Sequence, residues 1–211
     1  MMLQDRLFPA TVMPDQHWWQ ALWPDPDGVV RALRIEPGMT VVDLGCGDGY
    51  FTAAIARQID AGHVIGFDLD PAMLEQAKTA CNGMSNCVWL LGDAIELSHL
   101  IDAPADYVLM ANTFHGVPDK TALAHEIAAI LRPSGRFAIV NWHCIPRVET
   151  SVLGQPRGPR TELRMSPAQT RAVVEPAGFQ LEAVVELPPF HYAAIFCKIQ
   201  ADEESAEAKH G

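Results

Sequence analysis

The sequence predicts a doubly wound α/β domain. Its sheet is expected to hold seven strands, mainly parallel with one antiparallel strand near the edge, and to carry helices on both faces. Three observations predict it. Short apolar runs alternate with amphipathic segments from Thr40 to Val174, as βαβ units with strands buried on both faces require. The first of these runs, Thr40–Leu44, breaks into three glycines at alternate positions and continues as an alanine-rich helix. Two β-type runs, Phe179–Leu187 and Tyr192–Ile199, then follow each other with only Pro188-Pro189 near their junction, which predicts an antiparallel pair.

Each element has a local reason. Residues 1–39 are expected to form a helical cap or lid. One amphipathic turn, His17-Trp18-Trp19-Gln-Ala-Leu-Trp23, ends at Pro24, and a new helix starts with Asp25 as N-cap and Pro26 in its first turn. Trp18, Trp19 and Trp23 can serve as packing area on the sheet edge, or close over a bound molecule. Residues 40–200 form the main domain. The glycine turn Gly45-Cys-Gly47-Asp-Gly49 is followed by a helix with Phe51, Ile55 and Ile59 on one face, and the second strand, His63–Leu69, is apolar up to Asp68. Asp70-Pro71 caps the next helix, whose Met73, Leu74, Ala77 and Cys81 face inward. Cys87–Leu91 is a third strand that leads to Gly92-Asp93-Ala94, and Ala105–Met110 is a fourth that leads to Asn112-Thr113-Phe114-His115. Pro118-Asp119 opens a helix bearing Leu123, Ile127, Ile130 and Leu131. Phe137–Trp142 is the fifth strand and delivers His143 to the same end of the sheet. Ile145–Met165 shows little regular signal, a length of loop that is uncommon without a function. Ser166-Pro167 caps the last helix, and the polar, acidic tail at 201–211 is expected to be disordered.

Composition narrows the function. The 211 residues are 49% hydrophobic and 19% charged, enough apolar material for one large core, with no run long enough for a membrane span. The net charge of −11 opposes nucleic-acid backbones. The five cysteines are scattered without C-x-x-C spacing, which favours reduced thiols and a cytoplasmic setting and predicts no metal site.

The glycine turn carries the chemistry. Positive φ and the missing Cβ let the backbone turn sharply and approach a ligand. A dinucleotide fingerprint would need a third glycine where Tyr50 stands, and the spacing here is instead Asp43-x-Gly45-x-Gly47-x-Gly49. That motif resembles the first motif of class I S-adenosylmethionine (SAM)-dependent methyltransferases, and Asn112-Thr-Phe-His115 resembles the small-molecule, quinone-biosynthesis type among them. The resemblance implies SAM as cofactor and S-adenosylhomocysteine (SAH) as product. It implies that Asp43 and the loop Gly45, Cys46, Gly47 and Gly49 serve the methionine part. Asp93 and Ala94 would serve adenine, and Leu69 and Asn112 would complete the site. Asp68, an acid at the tip of the second strand, suits the ribose hydroxyls on general grounds. Asp93 is equally a turn residue that bonds its own backbone.

The acceptor side is less determined. His115 and His143 are the candidate bases, since histidine titrates near neutral pH, and each can alternatively satisfy buried backbone groups. Trp18, Trp19, Arg157 and Arg160 are candidate substrate contacts. Arg147, Arg157, Arg160 and Arg164 give the 145–165 segment a local charge of about +2 within an acidic chain, which suits an acceptor bearing a carboxylate or phosphate and equally suits a solvated loop. A small-molecule methyltransferase is the expected function. A SAM-binding protein without catalysis, or an NAD-dependent oxidoreductase, are the competing readings. Composition does not fix the oligomeric state.

Overall fold

The computed structural model describes residues 16–199. The tail expected to be disordered, 201–211, lies outside them. Helices α1 (Gln16–Leu22) and α2 (Pro26–Ala32) precede strand β1 (Thr40–Leu44), followed by α3 (Tyr50–Ile59), β2 (His63–Asp68), α4 (Pro71–Ala80) and β3 (Cys87–Leu91). A short α5 (Leu97–Leu100), β4 (Ala105–Ala111), α6 (Lys120–Ile130) and β5 (Leu131–Trp142) come next. A two-stranded hairpin, β6 (Ser151–Val152) and β7 (Gln155–Pro156), then leads to α7 (Pro167–Val174), β8 (Phe179–Leu187) and β9 (His191–Lys198).

The main sheet has seven strands in the order β3-β2-β1-β4-β5-β9-β8. β1 pairs in parallel with β2 and with β4, so strand order reverses between β1 and β4. β9 runs antiparallel to both of its neighbours, β5 and β8, and is the one reversed strand of that sheet. Helices α1, α2 and α3 bury Trp18, Trp23, Val30, Leu33, Phe51 and Ile55 on one face. Across the sheet, α6 and the segment from α7 bury Leu123, Ile127, Ile130 and Val174 on the other.

Local chemistry sets the boundaries. Asp25, Asp70 and Asp119 each accept a backbone N–H from the first turn of the following helix, and Ser166 closes a capping box with Gln169. β5 begins six residues earlier than the apolar run at Phe137, because Leu131 pairs with Ala105 ahead of a register shift. The 145–165 segment is also more regular than its sequence suggests. Besides the hairpin it has short 3₁₀ turns at Arg147–Glu149 and Thr161–Leu163, and its centre is a side chain, Arg164. That guanidinium is buried, donates to the carbonyls of Ile145 (2.8 Å), Pro159 (3.2 Å) and Arg157 (3.1 Å) and to the Thr150 hydroxyl (2.9 Å), and lies 5.0 Å from the Trp142 ring.

Candidate active site

The C-terminal ends of the parallel strands place the predicted residues along one edge, on both sides of the reversal between β1 and β4, where open α/β sheets hold ligands. Past β1 the chain turns through Gly45 (φ +74°), Gly47 (φ +55°) and Gly49 (φ +83°). Gly45 is pressed on the Thr113 side chain, which an added Cβ would meet at 3.3 Å, and a Cβ on Gly49 would come 2.8 Å from the Ala77 backbone in α4. The loop is therefore wedged between the residues after β4 and α4, and it is tied to β2 and to itself: the Gly45 and Cys46 N–H groups donate to the Phe67 carbonyl (2.8 and 3.0 Å), and the Gly49 N–H donates to the Cys46 carbonyl (3.0 Å).

Two acids brace it from below. Asp68 accepts from the Gly47 N–H (2.8 Å) through one oxygen and from the Asp70 N–H (2.9 Å) through the other. Burial raises its pKa against those two bonds. Asp43 is almost fully buried and accepts from the Thr52 hydroxyl at 2.5 Å. Burial pushes its carboxyl up to about 7, opposed by the Thr52 bond and helped by Asp68 and Asp48. Cys46 is buried, and burial raises its thiol so far that it stays uncharged. At the tip of β2, Leu69 is half-buried. Asp93 caps the 3₁₀ turn that starts at Ala94, accepting from the Ile95 N–H (3.3 Å), so its local turn role is realised.

Across the reversal, Asn112 takes a left-handed backbone (φ +60°) and donates its N–H to the Val140 carbonyl (2.9 Å). Its amide oxygen and nitrogen, and the Thr113 hydroxyl, are buried without a hydrogen-bond partner among the described residues. Polar atoms left so at the mouth of a glycine cradle, with two carboxyls behind it, form a donor and acceptor set that suits the amino acid and ribose parts of SAM. The turn itself requires glycine: a Cβ at Gly45 would press on Thr113 and one at Gly49 would run into the Ala77 backbone.

The chain matches a family model described as a methyltransferase domain over residues 35–164. It belongs to this family. Among curated relatives, the demethylmenaquinone methyltransferase of Staphylococcus aureus (strain MRSA252) is 32% identical over 108 residues, 51% of this chain and 44% of that protein, so the match spans less than half of the relative's length. Among solved structures, a SAM-dependent methyltransferase from Aquifex aeolicus superposes with a TM-score of 0.74 at 23% identity, over 88% of this chain and 94% of that one. A fibrillarin pre-rRNA processing protein from Methanococcus jannaschii superposes with a TM-score of 0.64 at 17% identity, over 85% and 78%. The fold is thus shared by proteins with different tasks, and S-adenosylmethionine is the cofactor that the family implies.

The acceptor side of this methyltransferase domain differs in several places from the sequence-based expectation. His115 is buried in the 3₁₀ turn after Thr113 and lines an open cleft of about 680 Å³ with Lys120, Arg164, Met165 and Gln169. His143 instead turns away from β4. Its Nε2 lies 2.8 Å from a Glu186 carboxylate oxygen on β8, and its ring lies 5.2 Å from Tyr192 on β9. The partner carboxylate two strands away decides that orientation. The arginines of 145–165 also serve the segment itself. Arg164 is internal, Arg147 donates to the Gly158 carbonyl (3.0 Å) and Arg160 pairs with Glu162 (3.3 Å). Arg157 faces the N-terminal tryptophans, its guanidinium 5.9 Å from the Trp18 ring.

Trp18 and Trp19 are buried and stacked on each other at 4.4 Å, with Trp19 stacked on Trp23 at 5.3 Å. The Tyr50 hydroxyl, one residue past the glycine turn, donates to the Trp23 carbonyl at 2.5 Å and ties this aromatic group to the loop. Sequence reasoning missed Thr52, Thr113 and His191. Thr52 is on the strand-facing side of α3, a helical spacing that could have flagged it. His191 needed the direction of β9: because that strand is reversed, its first residue pairs with Trp142 at the edge where the parallel strands end.

Proposed function

We propose that this chain transfers a methyl group from S-adenosylmethionine to a small-molecule acceptor. The observation that carries the reading is the braced glycine turn facing Asn112 and Thr113, with an aromatic enclosure tied directly to it through Tyr50. The cofactor would bring a sulfonium whose methyl group is already electrophilic. What the protein must do is hold and align. Asp68 fixes the Gly47 backbone and is placed to accept from ribose hydroxyls with its remaining lone pairs. Asp43 stands ready to ionise opposite a cation. Gly45, Cys46, Gly47 and Gly49 provide backbone at close range, Leu69 and Ala94 flank the base site beside Asp93, and Asn112 orients through its amide. His115 lines the neighbouring cleft.

The acceptor is read as small because buried, stacked tryptophans are tied to the glycine loop through Tyr50, and because the curated relative is named for a quinone. An anionic group on the acceptor would meet Arg157. The five cysteines are all free, consistent with a reaction in the cytoplasm; among the described residues no helix is long and apolar enough to cross a membrane. The test is to incubate the protein with methyl-labelled SAM and a cell extract separated into metabolites and macromolecules. Label in the metabolite fraction together with released SAH supports the reading, label confined to macromolecules overturns the small acceptor, and SAH binding without any turnover leaves a cofactor-binding protein.

A further inference from the structure

His191 is the first residue of β9 and is 1% exposed. Its ring centroid lies 4.1 Å from Trp142 and 4.5 Å from Trp23, and neither ring nitrogen meets a hydrogen-bond partner among the described residues. A fully buried imidazole ordinarily bonds through at least one nitrogen. The walls around it are flat and apolar: Trp142 stacks on Phe190 at 6.0 Å, and Trp23 on Trp19. This enclosure is continuous with the glycine loop through the Tyr50–Trp23 bond.

We propose that His191 is the proton acceptor for a planar-ring acceptor bearing a hydroxyl group, received among the tryptophans when α1 lifts; the proposal rests on the methyl-transfer reading above. Indole faces select a flat conjugated ring, and an imidazole nitrogen selects an O–H that can donate to it. In the step, the O–H bond breaks with its electron pair remaining on the acceptor oxygen, an N–H bond forms on His191, and the imidazolium later returns the proton to water. The titratable groups that face His191 are Arg164 from the 145–165 segment, His143 after β5 and His115 after β4. Burial first, and then these basic groups, keep the resting imidazole neutral and open to an O–H donor; they oppose the imidazolium, so the proton moves only as the oxyanion, which the same groups stabilise, forms beside them.

The probe is 1-naphthol, with naphthalene as the ring without the hydroxyl, titrated into the full chain saturated with SAH. Tryptophan fluorescence and calorimetry report binding, and ultraviolet absorbance reports conversion of naphthol to naphtholate. The parent is expected to bind 1-naphthol roughly tenfold more tightly than naphthalene and to shift it toward naphtholate. His191→Phe keeps an aromatic ring in place and should bind the two probes alike, with SAH affinity unchanged. His191→Gln, which keeps a polar group, should retain part of the preference and lose the naphtholate band. Equal affinity for both probes in the parent, or a preference and naphtholate band that survive in either variant, overturns the proposal. Failure of the parent to bind SAH instead overturns the methyl-transfer reading, and the probe comparison still decides the role of His191.

Discussion

Burial drives the Asp43 carboxyl up to about 7, and its consequences can be measured without any ligand. The folded state keeps the proton at a pH where the unfolded chain, near 3.8, has lost it. The stability this supplies is therefore full below about 3.8 and is lost as pH rises through about 7. Asp43→Asn retains an oxygen for the Thr52 hydroxyl and carries no charge at any pH. It should be more stable than the parent by up to about 4 kcal/mol at pH 8, with little difference at pH 4, in urea unfolding. On its proposed role opposite a cation, the same variant should bind SAH more weakly, and its affinity should lose the rise between about pH 6 and pH 8 expected of the parent. The neighbouring acids separate structure from recognition. Asp70 caps α4 alone, so Asp70→Ala should cost about 1 kcal/mol and leave SAH affinity intact. Asp68→Asn turns an N–H donor toward one of two backbone N–H groups and should weaken SAH binding about ten- to a hundredfold by calorimetry. Unchanged binding in Asp68→Asn would remove Asp68 from the site.

Among the elements, those with local signatures could be read from the sequence and those organised by distant partners could not. Asp25, Asp70, Asp119 and Ser166 were legible as caps because a cap bonds N–H groups two or three residues away. β1, β2 and β4, and with them the glycine turn, were legible because parallel strands covered on both faces leave continuous apolar runs; β3 carries the same kind of run but is the edge strand, with Val88 and Leu91 about half exposed, so its expected burial is not met. The 145–165 segment was opaque for the opposite reason: its order comes from Arg164, whose bonds reach from residue 145 to residue 159 and whose ring contact lies on β5. Arginines that look like a landing place for an anion in sequence are partly the scaffold of the loop itself. Arg164→Met should therefore destabilise by about 3 kcal/mol and open 145–165 to limited proteolysis, with Arg164→Lys recovering only part because an ammonium cannot span the same fork of carbonyls. Tyr50→Phe tests α1 in the same way. Losing one bond should cost about 1 kcal/mol and alter tryptophan emission, while unaltered emission and stability would mean that α1 is held by its rings alone.

At the scale of the molecule, two buried groups with opposite shifts shape the pH profile. His191 is held well below its ordinary value of 6.5 by burial first and by Arg164, His143 and His115 next. The unfolded chain takes up a proton below about 6.5 and the folded chain does not, so this group's contribution is present above that pH and lost as pH falls. Asp43 slopes the other way over the same interval. Between about pH 5 and 6.5 the two offset each other, and the parent's urea midpoint should vary little on their account. His191→Phe should expose a midpoint that falls with rising pH, and Asp43→Asn one that increases. Parallel profiles in both variants would show that neither group titrates as its surroundings dictate.

The position of β9 also has a meaning in time. The glycine turn and Asp68 rest on β1 to β4, parallel strands that are complete once the chain has passed residue 112, and Asn112 adds its N–H bond to Val140 when β5 joins them. Trp142 and His191 become partners only when the last of the main-sheet strands slides between β5 and β8, and β8 has no other neighbour in the sheet. Long-range pairing of this kind is slow, because the intervening chain must be ordered before the contact rewards it. During refolding, competence to bind SAH should therefore appear before the quenching of tryptophan emission that marks a closed aromatic enclosure. The half of the molecule that grips the methyl donor would mature first, and the half that receives the acceptor would be the final act of assembly.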